Sequence, residues 1–112
     1  MKTVTLEVSS RADVTRRAVE AFRGRKQHAR ISFATPELLW KVLTTRRWQL
    51  LKIMAGQGPL TIRGVARRVR RDVKAVHADV HALLDAGVLT RTSQGIVFPF
   101  DAVRVDFTLH AA

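Results

Sequence analysis

Residues 61–87 read TIRGVARRVRRDVKAVHADVHALLDAG, and the organisation of the whole chain follows from them. Apolar residues recur at helical spacing on both sides of Arg70-Arg71. Ile62, Val65, Ala66 and Val69 form the stripe before it; Val73, Val76, Val80, Leu83 and Leu84 form the stripe after it. Thr61 and Asp72 stand where helix N-caps are needed, and the charge of Asp72 also suits the positive end of a helix. Gly87 supplies a C-terminal stop. The pattern predicts two short helices joined by a tight turn, with Ala66 small enough to let them cross closely. β-Branched valines are weak helix formers, so tertiary packing has to hold the second helix. The residues Arg63, Arg67, Arg68, Arg70, Arg71 and Lys74 are all basic. Such a pair reads as a helix-turn-helix whose second helix is shaped for a DNA major groove.

The flanks are consistent with that reading. Val88–Thr92 and Ile96–Phe98 look like strands around the turn Ser93-Gln94-Gly95, a hairpin placed where a wing is expected, and Pro99 ends it. Upstream, Gly56-Gln57-Gly58-Pro59 is a loop. Thr35-Pro36-Glu37 starts a helix with Leu38, Leu39, Val42 and Leu43 on its buried face. Thr44 and Thr45 offer a second cap, for a helix over about 46–55 with Trp48, Leu50, Leu51 and Met54 mostly inward. Trp40 and Trp48 read as core or dimer-interface anchors. Alternation of Val4, Leu6 and Val8, of Ile31 and Phe33, and of Val103, Val105, Phe107 and Leu109 predicts three strands, over 2–8, 29–33 and 102–109. A helix over about 11–23 follows Ser9 and Ser10, with Val14, Ala18 and Ala21 or Phe22 as its apolar stripe. The expected fold class is α+β. It is a single winged helix-turn-helix domain with its core over 35–100, an N-terminal strand-helix-strand extension over 1–33 and a C-terminal strand over 101–112.

Composition narrows the partners. The chain has 112 residues and a net charge of +11, from 20 Lys and Arg against 9 Asp and Glu. A domain this basic attracts polyanions, whether nucleic acid, an anionic membrane surface or an acidic protein partner. It contains no cysteine, which excludes disulfides and thiolate metal sites. The segment MKTVTLEVSSRAD has no long apolar stretch, so a secretion signal is not expected, and no apolar run is long enough to span a bilayer. The expected location is the cytoplasm, in association with the nucleoid. The polar run Arg25-Lys26-Gln27-His28 reads as a solvated face or loop, with extra phosphate contact as the alternative.

Spacing along the second helix assigns the expected roles. Arg71, Lys74, Ala75, Ala78 and His81 point away from the apolar stripe, with His77 at its border. Arg71 and Lys74, near the helix start, are the candidates for guanine edges. The alanines leave room for close approach and for a thymine methyl. Arg63, Arg67 and Arg68 on the first helix and Arg70 in the turn suit phosphates, which set affinity and register. Arg91 on the wing would reach a neighbouring phosphate or the minor groove. Catalysis is not expected. There is no Walker-type loop, no nucleophile elbow and no paired-carboxylate signature. His77 and His81 have a spacing that can bind metal on a helix, but Asp79 between them does not make the zinc-protease pattern, so neither metal nor cofactor is expected.

The segments SFATPELLWKVLT, RRWQLLKIM, GPLTIRGVARRV, RDVKAVHADVHALLDAGVL and FPFDAVRVDF, in this order, resemble a family of MarR-like winged helix-turn-helix predicted transcriptional regulators of bacteria and archaea. The likeness runs from about Arg30 onward. It implies a winged-helix domain that binds double-stranded DNA and forms a homodimer; with the basic cluster at Arg63–Lys74 and the hairpin, the expected function is a sequence-specific repressor, including of its own gene. Some members are similar to antitoxins encoded beside a small toxin of the Tum type, which makes a toxin protein the alternative partner. Two positions depart from the family's pattern: Arg70 stands where a turn glycine is usual, and Gly64 where an acidic residue is frequent. Both changes make the motif more basic. The first predicts a strained turn, because a side chain resists positive φ.

Overall fold

The computed structural model describes residues 1–9, 15–16, 18–20, 29–109 and 111. The polar run 25–28 and most of the helix expected over 11–23 lie outside them; residues 15–16 and 18–20 are helical. In chain order the other elements are β1 (Thr3–Val8), β2 (Ala29–Phe33), α1 (Pro36–Val42), α2 (Thr45–Met54), α3 (Ile62–Val69), α4 (Val73–Asp85), β3 (Thr90–Thr92), β4 (Gly95–Val97) and β5 (Ala102–Asp106). This is an α+β domain.

Each of these four helices starts at a side chain that satisfies a first-turn N–H. The Thr35, Thr44 and Thr61 hydroxyls accept from the amides of Leu38, Arg47 and Gly64, and the Asp72 carboxylate accepts from Lys74 N. The free amides at these helix starts therefore have local partners written into the sequence, which is why the helix boundaries fall within a residue or two of the expected ones.

The three predicted long-range strands form one sheet, in the order β2-β1-β5. Both pairings are parallel, with Val4 opposite Ala29 and Val103, and Leu6 opposite Ile31 and Val105. Strand alternation read from the sequence leaves open pairing between two chains; in the structure these strands close within one. Parallel neighbours need long crossover connections, and the sheet has them: β1 is first in sequence but central in space, and β5 returns from the far end of the chain. Strand β5 stops at Asp106, short of the expected Leu109. Its last partner is Glu7, one residue before the end of β1.

One apolar cluster unites sheet and helices. Val4 and Leu6 of the central strand join Leu39 of α1, Leu50, Leu51 and Met54 of α2, Val65 and Ala66 of α3, and Val76, Val80 and Leu83 of α4. Val88, Leu89, Ile96 and Phe98 complete it. Burying a side chain such as Leu50 or Leu83 contributes about 1.5–3 kcal/mol. Leu38, Trp48 and Val73, expected to face inward, are exposed, and so is Trp40, read as a core or dimer-interface anchor. Helix α1 is only two turns long, so it buries Leu39 alone. Val73 is the first residue of α4, and there the helix has not yet reached the crossing that covers Val76.

The predicted hairpin pairs Thr90 with Val97 and Arg91 with Ile96. Leu60, in the loop before α3, adds a bridge: its N–H and carbonyl both bond Ile96 at 2.8 Å. The hairpin is thereby anchored to the start of α3. Gly95 makes this approach possible. Its φ is +137°, and a Cβ there would lie 2.6 Å from the Leu60 carbonyl oxygen. Gly95→Ala is expected to cost about 2 kcal/mol or more, since strain and a backbone clash add. Gly58→Ala, at φ +70° but facing open space, should cost only about 1 kcal/mol. Urea unfolding midpoints of the two variants check the difference.

Candidate nucleic-acid interface

Helices α3 and α4 cross through Val65 and Ala66 on one side and Val76 and Val80 on the other, all buried. Between them Arg70 adopts the left-handed conformation, φ 57° and ψ 48°, the one non-glycine residue with positive φ among those described. The amide of Arg71 reaches back to the Ala66 carbonyl at 3.1 Å, the bond that tightens such a helix end. The strain expected from an arginine in place of a turn glycine is thus present, at about 1–2 kcal/mol. Gly64 is close-packed: a Cβ would lie 3.1 Å from the Thr61 capping hydroxyl.

An open concavity of about 380 Å³ lies along this turn, lined by Arg63, Ala66, Arg67, Arg70, Arg71 and Val73. Beside it, Lys74, His77 and Ala78 are exposed on α4, while Ala75 and His81 are partly covered. The rings of His77 and His81 lie against each other, centroids 4.1 Å apart and tilted by 35°. Among the described residues no group of three His, Cys, Asp or Glu side chains could hold a metal ion. Arg68 donates to the Gln57 side chain at 3.1 Å. Arg91 is exposed on β3. Among the described residues no carboxylate pairs with Arg63, Arg67, Arg70, Lys74 or Arg91.

Arg71 behaves differently from the rest. Spacing directs it outward to base edges; its guanidinium is instead held inside the structure. Its Nη1 donates to Asp79 Oδ2 at 3.2 Å and its Nη2 to the Arg46 carbonyl at 3.1 Å. The other oxygen of Asp79 accepts from Arg47 Nε at 3.0 Å. Arg47 also donates to the carbonyls of Lys41 and Val42, 2.9 and 3.0 Å away, closing the end of α1. All three side chains are less than one-fifth exposed, at 15%, 18% and 19%. The network ties α1, α2, the turn and α4 together through one carboxylate. The sequence reading weighed Asp79 only beside His77 and His81 and did not single out Arg47. A signal was available, since Asp79 falls on the same helix face as Val76 and Leu83, where an acid needs partners.

Two stability changes of opposite sign follow. Asp79→Ala strands two largely covered guanidiniums and should cost about 3 kcal/mol. Arg70→Gly relieves the positive φ and, after the larger unfolded-state entropy of glycine, should stabilise by about 0.5–1 kcal/mol. Both are read from urea midpoints with the slope unchanged.

Residues 42–105 match the model of the HVO_A0114 family. The match begins at the last residue of α1, spans α2, α3, α4 and the hairpin, and ends within β5, so the concavity and the Asp79 network lie inside it. No curated protein and no solved structure matches the chain. The family match covers more than half of the sequence, and the chain belongs to the HVO_A0114 family.

Proposed function

We propose that the chain is a winged helix-turn-helix DNA-binding transcriptional regulator, with α3 and α4 as the motif and the β3–β4 hairpin as the wing. The observation that carries the reading is the uncompensated charge around the α3–α4 turn. Arg63, Arg67, Arg70 and Lys74 surround the exposed start of α4 without a carboxylate partner among the described residues. The one acid in the middle of α4 is already spent on Arg47 and Arg71. Keeping like charges this close is unfavourable for the isolated domain. Phosphates would relieve it, with release of counterions. The likeness to MarR-like regulators points the same way.

In this reading the roles within the motif differ from those that spacing alone assigns. Arg63, Arg67, Arg68 and Arg70 are the phosphate ligands. Lys74, His77 and Ala78 present the freest part of α4 to base edges, with Ala75 and His81 behind them. Arg71 acts through Asp79, fixing the angle at which α4 is offered. Arg91 extends the contact along the wing. In this reading two copies occupy a pseudo-palindrome with half-sites about one helical turn, roughly 10 base pairs, apart, as expected of a repressor.

Fluorescence anisotropy against the gene's own upstream duplex and a scrambled duplex, at two salt concentrations, tests the proposal. The upstream duplex should bind more tightly, and the preference should survive the higher salt. Arg67→Ala should weaken both duplexes alike and lower the salt slope by about 1. Lys74→Ala should lose about tenfold or more on the upstream duplex alone. Equal binding of both duplexes that collapses with salt would overturn sequence-specific recognition.

A further inference from the structure

Strand β5 is an edge. Among the described residues its only ladder partner is β1. Natural edges are blunted by lysine, proline or a covering loop, because open peptide groups recruit other strands. This one carries the sequence Val103-Arg104-Val105-Asp106-Phe107. Val103 and Val105 lie on the same side of the sheet as the buried Val4 and Leu6, and that apolar side continues into the open. Val105 is 39% and Phe107 38% exposed, and Trp40 of α1, 53% exposed, stands edge-on to Phe107 at 5.7 Å. On the other side Arg104 and Asp106 are 71% and 53% exposed, and their contact within the strand is a loose 3.8 Å.

We propose that β5 pairs antiparallel with β5 of a second copy of this chain, about a twofold axis through Val105. The order of charges selects this occupant. In an antiparallel ladder centred on Val105, Arg104 faces Asp106 of the partner subunit, and Asp106 faces Arg104 of the partner subunit. Both are favourable cross-strand pairs. Val103 then meets Phe107 of the partner subunit. A single surface complementary to itself is what a twofold interface requires. A parallel second copy in register would set Arg104 and Asp106 each against its own kind. The strand is also locally neutral in a chain of net charge +11, so two copies can approach here with least repulsion. The apolar ledge formed by Val105, Phe107 and Trp40 is covered in the same step. The product is a continuous six-stranded sheet, β2-β1-β5-β5-β1-β2. Neither α3 nor α4 contributes a residue to it, so the pairing stands independently of DNA binding.

Sedimentation equilibrium of the full chain at low salt, from about 1 to 100 µM, is the test. The wild type should show a monomer–dimer equilibrium. Arg104→Asp and Asp106→Arg each create two like-charge pairs by symmetry and should weaken the dimer about tenfold or more. The double swap Arg104→Asp/Asp106→Arg restores complementarity and should return to within about threefold of wild type. A second assay uses the absence of cysteine: Val105→Cys should form a disulfide-linked dimer on mild oxidation far faster than Ser93→Cys in the hairpin. A wild type that stays monomeric throughout, single reversals that dimerise like wild type, a swap that fails to restore, or equal cross-linking at the two cysteines would each overturn the proposal.

Discussion

Asp79 sits on the inner side of α4 with an arginine on each carboxylate oxygen, and the placement of α4 depends on it. The valine-rich helix has modest propensity of its own, so it takes its position from its neighbours. Its apolar stripe supplies the force but permits a range of crossing angles. The Arg47–Asp79–Arg71 network narrows that range, since each guanidinium also closes backbone carbonyls at the end of α1 or in the first turn of α2. Removing any member leaves a charge or a carbonyl without its partner in a largely covered place, which costs more than the net worth of the bonds. The turn that carries the exposed arginines is held at the same point.

The sheet adds a second constraint. With β1 in the middle of a parallel trio, the first strand of the chain contributes two fully buried side chains to the core that also holds α2, α3 and α4. The N-terminal strand is therefore part of the domain's foundation. Glu7, buried on the other face of β1, bonds Ser9, Arg30 and Ser32 and so stitches the β2 side of the sheet. Among the described residues such a sheet leaves β5 as an edge, and its apolar ledge follows from that position.

Stability and the proposed recognition surface pull against each other at Arg70. A glycine would suit φ 57° better, and an arginine there adds one more positive charge to a crowded turn. Under the proposed function a phosphate would neutralise that charge. Strain of this kind concentrates where a surface does something besides fold.

Much of this was legible in the chain alone. The threonine caps, Asp72, Gly87 and the apolar periodicity of 61–87 determined the two helices and their turn, because these signals act within a few residues of one another. The alternation of 2–8, 29–33 and 102–109 likewise announced strands. Which strand lies in the middle, that all run parallel, and that they close within one chain depend on crossovers between distant segments, and only the tertiary structure decided them. The same division holds in the candidate site. Composition and spacing marked the arginines around Arg63–Lys74, but the assignment of Arg71 to Asp79 could not be read from helical phase. Helical phase says which way a side chain leaves its own helix, and a long arginine can still reach a carboxylate and a carbonyl on its neighbours. Val73 carries the converse lesson. Its position in the apolar repeat was correct, but burial needs a surface opposite, and the first turn of α4 begins before α3 can provide one.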